Sequence, residues 1–409
     1  MLLSSSGLPE TRIGNWHFMR LKLERVRHYY AGYGFLAFAF GLVGVFLNLY
    51  FFNVGSYTEV LLYQILVAGG IAFGFTLSGY LYEKHSAKHV FMFGGIGRAA
   101  LLIMLMLFSG IFSNFFMFGL LYGIAGGFLW SGNNVLNYDV LKGRNRIRIF
   151  SMGGIAINVI SLVAPFIGGV LVQFSSLSGT MKFSFDLVSA AAFFFASAMI
   201  MGRLRLDERP FKYSLKNTAL SGDEYRRFKL FYGLKELFLI PFTVLLPIYV
   251  FISTHSYLVT GAFLSFGFVI TIASNFITRD TKYSSRMVDF SVVAILVSSL
   301  IFLAPSIIPA PYNAFVFTGI FMLAATPLNV RTRSNFFSLI DRDEKKSDRA
   351  LFMINIEYYI NAFRILISAL LLVVLPYTDG VVGSIFLFPF FALYALLFRH
   401  TVRENLDTA

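Results

Sequence analysis

The sequence predicts an all-α integral membrane protein with twelve transmembrane helices in two bundles of six. Hydrophobic residues make up 57% of the 409 residues and charged residues only 13%, which is more apolar surface than one soluble core can bury. The apolar residues also form runs of near-bilayer length, and the basic residues alternate with those runs. The bilayer is therefore the expected solvent for most of the chain.

The predicted segments, numbered 1 to 12, are continuous apolar runs of about the length that crosses a bilayer as a helix. Because their number is even, both chain ends are expected on one side of the membrane. The segments lie at roughly 31–53, 58–82, 90–110, 114–138, 149–174, 184–202, 230–253, 257–278, 288–308, 311–330, 351–375 and 380–399.

The basic residues predict which side that is. Thirty of the 34 Lys and Arg residues lie in the N-terminus, in every second connection after it and in the C-terminus, whereas only Lys182 lies in a connection on the other side. Cytoplasmic connections carry an excess of Lys and Arg. We expect a multi-pass protein of the cell membrane with both termini in the cytoplasm.

The longest interruption, Arg203 to Lys229, divides the chain into two sets of six helices. It carries eight Lys or Arg residues with Pro210 and Gly222 and is predicted to be a cytoplasmic linker. The halves also match each other at a shift of about 200 residues, as where Asn134-Val135 corresponds to Asn329-Val330. The predicted parts are an N-terminal arm (1–30), a six-helix bundle (31–202), the linker (203–229), a second six-helix bundle (230–399) and a tail (400–409).

Composition also excludes several classes of site. The net charge of +13 is explained by basic residues beside helix ends, where they meet anionic lipid, so we expect no nucleic-acid partner. The chain has no Cys, and its six His residues lie at or beyond the ends of the predicted segments. We therefore expect no metal site and no cofactor, and a monomer. The first 30 residues lack the pattern of a signal peptide.

Two stretches resemble the major facilitator superfamily. GYLYEKHSAKH, between segments 2 and 3, is similar to the loop signature of that superfamily: Gly79, Glu83, Lys84 and Lys88 match, whereas Ser86 stands near the place of a customary glycine. The passage from segment 4 to segment 5, NYDVLKGRNRIRIFSMGGIAINVISLVAPFIGG, is similar to that of poorly characterised prokaryotic members. The resemblance implies the major facilitator fold and a solute transporter.

The same resemblance implies roles for loop residues. Glu83 would lie against the start of segment 11 while Lys84 or Lys88 bridges to Asp139, which would latch the two bundles in the outward-facing state. Gly79 would allow the close backbone approach that this loop needs. The alternative is that these are solvated loop charges with ordinary anchoring value.

Segment 5 carries a proline and paired glycines, which would permit a bend and tight packing. Drug antiporters usually have Gly where this chain has Ala164, so antiport is not implied. The residues expected to provide the bend and the packing are Pro165, Gly168 and Gly169.

Polar residues inside the apolar runs are the candidates for a substrate cavity, since such residues normally face a protein interior or a water-filled path. Glu357, Asn361 and Arg364 lie four and three residues apart on one face of segment 11. We assign Arg364 and Asn361 to the cavity and Glu357 to ion coupling. The alternative is a structural clamp in which Glu357 balances the charge of Arg364.

Further cavity candidates come from three other segments, and for the segment 4 residues interhelical hydrogen bonding is the alternative. Lys235 and Glu236 lie near enough to the membrane surface to snorkel, and Arg98 is expected to pack or snorkel. The candidates are Trp130, Asn133, Asn134 and Asn137 in segment 4, Asn158 in segment 5 and Asn329 in segment 10.

These features predict a transporter that moves a small organic solute, with a preference for anionic or zwitterionic solutes, by alternating access coupled to an ion such as the proton. An enzyme is not expected, because the sequence has no P-loop, no HExxH and no Ser, His and Asp set at membrane depth. A transporter-like sensor, a lipid-handling protein and a proton-coupled drug exporter remain alternatives.

The orientation can be tested with single cysteines, because the native chain has none. An impermeant thiol reagent added to intact cells should label Lys182→Cys and should leave Lys216→Cys unlabelled until the cells are opened. The opposite labelling pattern would contradict the predicted topology.

Overall fold

The computed structural model describes residues 10–108, 115–140, 146–204, 213, 228–230, 232–233, 236–237, 240–279, 290–291, 293–298, 308–342 and 349–375. Within these ranges the chain is helical, with short turns and no strand. Eight of the described helices are long and apolar enough to cross a membrane. Segment 12, the tail and most of segment 9 lie outside the described residues.

The first half contains six helices, which correspond to segments 1 to 6. A short 3₁₀ turn, Gly179–Phe183, precedes the sixth. The helices are α1 (Glu10–Val54), α2 (Tyr57–Leu81), α3 (Ala87–Leu107), α4 (Phe115–Val140), α5 (Arg146–Gln173) and α6 (Ser184–Gly202).

The second half is described in part. A π-helical turn, Pro241–Leu245, opens directly into α7, and proline explains it because its missing N–H removes an ordinary helical hydrogen bond. The later helices match segments 8, 10 and 11. The helices are α7 (Leu246–Thr254), α8 (Tyr257–Thr278), α9 (Tyr312–Arg342) and α10 (Arg349–Val374).

Two helices extend well beyond the predicted apolar runs. The arm at 1–30 is helical from Glu10, and α9 continues to Arg342 although the apolar run ends near residue 330. A helix ends where its backbone hydrogen bonds end, not where hydrocarbon gives way to water. Charged side chains such as Arg331 and Arg333 therefore extend from the end of a helix and not from a loop.

Serines fix the starts of two helices. Ser56 forms a capping box at α2: its hydroxyl accepts from the backbone N–H of Thr58, and Glu59 accepts from the Ser56 N–H at 2.6 Å. Ser256 accepts from the Val259 N–H at the start of α8. These caps fix short connections, so consecutive helices lie side by side.

The two halves meet along two helix pairs, α5 with α8 and α2 with α10. One end of this seam, here called the basic end, lies on the side of the basic connections; there Tyr138 donates to Asp341 at 2.6 Å, and Thr76 and Tyr358 share a hydrogen bond at 2.8 Å. At the opposite end, Asn53 donates to the Tyr257 hydroxyl at 3.2 Å. The described residues thus join the halves at both ends.

Close backbone approach holds the first half together. A Cβ added to Gly70 of α2 would contact the carbonyl oxygen of Leu120 and lie 2.9 Å from the Cα of Gly123 in α4. Gly74 faces Gly127 in the same way one turn further on. Small residues four apart on facing helices are a common basis of helix association in membranes, where the hydrophobic effect does not drive helices together.

Gly69 and Gly70 offer a matched pair of substitutions. Gly70→Ala should destabilise the first half by about 1–3 kcal/mol through overpacking. Gly69→Ala should be neutral or stabilising, because a Cβ there meets nothing within 4 Å and alanine is the better helix former. Thermal unfolding of the two purified variants in detergent measures the difference. Equal melting temperatures would contradict the close α2–α4 packing.

Candidate functional site

A partly buried ion pair lies between helix α10 and the residues that precede the π-helical turn, and the Arg364 side chain is 23% exposed. The Nε of Arg364 donates to an oxygen of Glu236 at 2.8 Å, and the Glu236 side chain is 5% exposed. Arg364 therefore pairs directly with Glu236, whereas the clamp alternative of the sequence analysis named Glu357 as the acid that balances its charge. Such a pair is strongly destabilised when one partner is removed, because the other charge stays buried.

Two further residues of α10 extend this pair towards the first half. Asn361 accepts from the Nη1 of Arg364 at 3.5 Å, and its amide donates to the backbone carbonyl of Glu357 at 2.8 Å and to the Glu357 carboxylate at 3.4 Å. Asn134 of α4 donates to the other Glu357 oxygen at 3.5 Å. We call Asn134, Glu236, Glu357, Asn361 and Arg364 the central polar cluster.

The central polar cluster has an uneven charge balance. It contains two carboxylates and one guanidinium, so it carries a net charge of about −1 when all three are ionised. Glu236 has the guanidinium as its partner, whereas Glu357 has amide donors from both halves of the chain. Glu357 is thus the acid whose charge is compensated least, and it bridges the seam.

The remaining polar residues of α4 lie beside the cluster and not in it. Asn133 is fully buried and accepts from the Tyr29 hydroxyl of α1 at 3.4 Å, and Asn137 is buried as well. The amide nitrogen of Asn133 and the amide oxygen of Asn137 have no hydrogen-bond partner among the described residues. This stripe joins α4 to α1 and leaves donor and acceptor capacity unused.

Trp130 lines the seam through an aromatic stack. Its indole stacks on Phe40 of α1, with ring centroids 5.2 Å apart, and packs against a small buried cluster that includes Phe75 and Ile354. The guanidinium carbon of Arg98 lies over the same Phe40 ring, 5.0 Å from its centre. Arg98 is thus buried and packs within the first half, one of the two roles expected from the sequence. It is not part of the central polar cluster.

Two predicted cavity residues lie outside the cluster. The Asn158 amide donates back to the carbonyl of Gly154 within α5, at 2.7 Å. Asn329 has an exposed side chain on α9. Neither contacts the central polar cluster among the described residues, and Lys235 falls outside them. Sequence spacing cannot separate these residues from Asn134, because it does not say how each helix is rotated.

The loop signature contacts a linker residue at the basic end. Gly79 of α2 packs directly on the ring of Tyr213. A Cβ added to Gly79 would lie 2.7 Å from the nearest ring atoms. The Tyr213 hydroxyl lies 3.2 Å from that of Tyr358 in α10, and Thr76 contacts the same Tyr358 hydroxyl. Burial raises the pKa of the Tyr213 phenol above its ordinary value, so its hydroxyl stays neutral. Tyr213 thus fills the α2–α10 seam.

The charged residues of the predicted latch lie at the basic ends of α2, α3 and α4. Lys88 donates to the backbone carbonyl of Leu204 at 3.0 Å, and Lys84 is exposed. The Glu83 side chain is exposed and makes no hydrogen bond or ion pair with the described residues. Asp139 lies at the end of α4 in a partly buried position. The latch between Glu83, the lysines and Asp139 stays a prediction.

The proline and glycines of α5 form the other main contact between the halves. The carbonyl of Pro165 contacts Gly261 of α8, and a Cβ on Gly169 would lie 2.7 Å from the carbonyl oxygen of Tyr257. Gly168 faces inward, towards Phe46 and Asp186 of the first half. The segment from 165 to 169 therefore packs against both halves at once.

Sequence reasoning missed two residues that the structure makes prominent. Tyr213 lies in a polar linker, and nothing in the neighbouring sequence distinguishes it from a residue exposed to solvent. Asp186 did leave a signal, since it is a carboxylate near the start of an apolar run. It is fully buried, and neither oxygen has a hydrogen-bond partner among the described residues.

Comparison with known sequences gives distant relatives. A protein of Bacillus subtilis (strain 168) named YqgE, described as uncharacterized, is 24% identical over 305 residues, which is 72% of this chain and 69% of that protein. A Geobacillus stearothermophilus protein encoded in the sodM 3′ region, also described as uncharacterized, is 23% identical over 160 residues, which is 39% of this chain and 74% of that protein.

Solved structures share the fold over nearly the whole chain. The human organic anion transporter MFSD10 superposes with a TM-score of 0.66 at 14% identity and covers 92% of this chain and 99% of its own. A bacterial homologue of the iron transporter ferroportin, in its inward-facing state, gives 0.67 at 15% identity and covers 93% and 98%. The nucleoside transporter NupG gives 0.65 at 15% identity and covers 93% and 99%.

The family comparison agrees with the architecture. The structure has two helical halves with a polar cluster at their seam, and glycines mediate the contact between α5 and α8. The profile of the Major Facilitator Superfamily matches residues 29–356, which is most of the chain. The resemblance inferred from the loop motifs is thereby confirmed: the chain is a multi-pass membrane protein with a transporter fold, and it belongs to the major facilitator superfamily.

Proposed function

We propose that this protein is a proton-coupled transporter of a small zwitterionic organic solute, which works by alternating access in the cell membrane with both termini cytoplasmic. The observation that carries the proposal is the central polar cluster, in which Arg364 and two carboxylates meet between the halves. Buried ionisable groups in a membrane protein are costly and mark substrate or ion paths.

The charge balance favours a zwitterion over a simple anion. Arg364 already has a partner in Glu236, so an anion would have to displace that carboxylate and leave it buried and unpaired. A solute with both a carboxylate and an ammonium group can bind Arg364 and compensate a glutamate at the same time. Related transporters carry cargoes as different as organic anions, nucleosides and iron, so the cluster and not the fold must select the solute.

Glu357 is the proposed coupling acid because it connects the halves. Its carboxylate accepts from Asn134 of the first half and from Asn361 of its own helix. Protonation removes the charge that both amides stabilise and turns one oxygen into a donor, so the contact across the seam must rearrange. A proton on Glu357 would therefore change how tightly α4 and α10 are held together.

Alternating access requires that the two ends of the seam open in turn. At the basic end the contacts to break are Thr76 with Tyr358 and Tyr138 with Asp341. At the opposite end they are those of Tyr257 with Asn53. Occupancy of the central polar cluster can shift this equilibrium only if solute or proton binds the two open states with different affinity.

Binding at Arg364 can be tested without knowing the solute. Amino acids and other small zwitterions, with matched monoanions and monocations, should be screened by thermal shift on the purified protein. A true ligand at 100 times its Kd stabilises the protein by about 2.7 kcal/mol. We expect Arg364→Ala to abolish the shift, whereas Arg279→Ala, which removes an exposed arginine at the end of α8, should keep it.

A double variant separates binding from folding. Arg364→Ala leaves Glu236 buried and unpaired, which should destabilise the folded protein by about 3–5 kcal/mol. The yield of folded protein should therefore fall. Arg364→Gln combined with Glu236→Gln removes both charges and should restore the yield without restoring the ligand shift. Recovery of the zwitterion shift in the double variant would show that the pair is only a structural clamp.

Glu357→Gln should remove the pH dependence of transport while leaving the protein folded. Uptake of the solute found by screening into proteoliposomes, over a range of pH and with an imposed proton gradient, measures this effect. Glu24→Gln, an exposed residue of α1, is the matched control and should transport as the native protein does. Unchanged pH dependence in Glu357→Gln would contradict its coupling role, and ligand binding without any uptake would favour a sensor.

A further inference from the structure

Asp186 is a buried acid that the proposed transport site does not use. It lies in the first turn of α6, its exposed fraction is 0%, and neither carboxylate oxygen has a hydrogen-bond partner among the described residues. A Cβ added to Gly168 of α5 would lie 2.8 Å from the Asp186 Oδ1 and 2.6 Å from the Phe46 ring of α1, so both side chains pack against this glycine.

An ionised carboxylate in these surroundings would be an isolated charge. Such a charge costs many kcal/mol in an apolar interior, which proteins avoid by pairing it or by protonating it. The described surroundings provide no pairing in this arrangement, so the carboxyl group is held in its neutral form here. Any arrangement with an ionised Asp186 must bring a cation or hydrogen-bond donors to it.

The nearest cation in sequence is already engaged across the seam. Lys182 precedes Asp186 by four residues, about one helical turn. Its ammonium lies 4.4 Å from the ring centre of Tyr257 in α8 and 5.6 Å from that of Phe183. Lys182 therefore connects the first half to the second by a cation–π contact.

Tyr257 is the residue on which the opposite end of the seam closes. Its hydroxyl accepts from Asn53, and its backbone N–H donates to Gln173 at 2.9 Å. Its carbonyl oxygen is the atom that approaches Gly169, the residue after the Gly168 that abuts Asp186. Asp186 and Tyr257 thus contact adjacent residues of the same stretch of α5.

Few other groups can compete for Lys182 or titrate near Asp186. Helices α1, α3 and α5 pack against α6. The stretches of α3 and α5 at this depth, 101–107 and 164–173, contain no titratable residue, and that of α1, 43–54, contains only Tyr50. With Lys182 on the preceding turn and Tyr257 across the seam, these are the titratable and charged groups around Asp186 in the described part of the chain.

We propose that Asp186 is a proton-binding site that controls the opposite end of the seam through Lys182. Loss of the proton creates a buried negative charge, which draws the Lys182 ammonium from Tyr257 to Asp186. The seam then loses its cation–π contact, and the α5 stretch at Gly168 and Gly169 is displaced by the new ion pair. The proposal rests on the alternating-access function, but it concerns a second proton site, separate from Glu357.

The sign of the pH effect follows from which state holds the proton. The closed seam binds a proton at Asp186 and the open seam does not, so raising the pH favours the open state. For one proton, the ratio of open to closed molecules rises by at most about tenfold per pH unit. The effect needs no solute.

Distance measurements on the purified protein test this directly. Ser176→Cys in the first half and Ser253→Cys in the second, both exposed near the opposite end, carry spin labels in a chain without native cysteine. We expect a longer distance component that grows as the pH rises. Asp186→Asn should abolish this growth and keep the seam closed, whereas Glu59→Gln, an acid near the same end in the capping box of α2, should leave it unchanged.

A second variant tests the lysine, and a combined variant separates the two proton sites. Lys182→Met should open the seam at low pH as well as at high pH, because the cation–π contact is gone in both forms. Glu357→Gln should leave a pH-dependent growth of the longer component at this end, and adding Asp186→Asn to it should remove that growth, so failure at Glu357 and failure at Asp186 give different results. A native pH response in Asp186→Asn or in Lys182→Met, or complete loss of the response in Glu357→Gln alone, would overturn the assignment.

Discussion

The structure depends on one constraint: hydrocarbon offers no hydrogen-bond partner. Every backbone polar group in the membrane must therefore be satisfied within its own helix, and every buried charge must meet another polar group of the protein. The helices from α1 to α10 satisfy the first condition. The pairing of Arg364 with Glu236 satisfies the second condition within the second half of the chain, whereas neither oxygen of the buried Asp186 has a hydrogen-bond partner among the described residues.

The same constraint explains why small residues carry the helix contacts. Because lipid is as apolar as a leucine side chain, helices associate by close packing, and glycines allow the backbones to approach. Gly70 with Gly123 fixes α2 on α4 within one half, whereas Gly169 and Gly261 bring α5 to α8 across the seam. Close approach at glycine thus provides both the contact within one half and the contact between the two halves.

Much of the fold could be predicted because segment length and charge asymmetry are local properties. The starts and ends of α2, α3 and α6 lie close to the predicted runs, whereas α1 and α9 extend past theirs because helical hydrogen bonding continues into water. The central polar cluster was harder to predict from the sequence than the helices. The spacing of Glu357, Asn361 and Arg364 identified one face of α10, but the pairing of Arg364 with Glu236 depends on tertiary packing between residues 128 positions apart. Asn158 and Asn329 lie outside the central polar cluster for the same reason: tertiary packing, and not sequence spacing, decides which side chains meet.

Tyr213 gives the connection between the halves a role beyond tethering. The residue belongs to the linker, yet its ring occupies the α2–α10 seam beside Gly79 and Tyr358. A side chain attached by short chain segments to both halves returns to its binding place at a high effective concentration, as a tethered ligand does. If the halves rock as proposed, the linker therefore competes within the molecule for the space between the helices, and its length and stiffness help to set how often the basic end is closed.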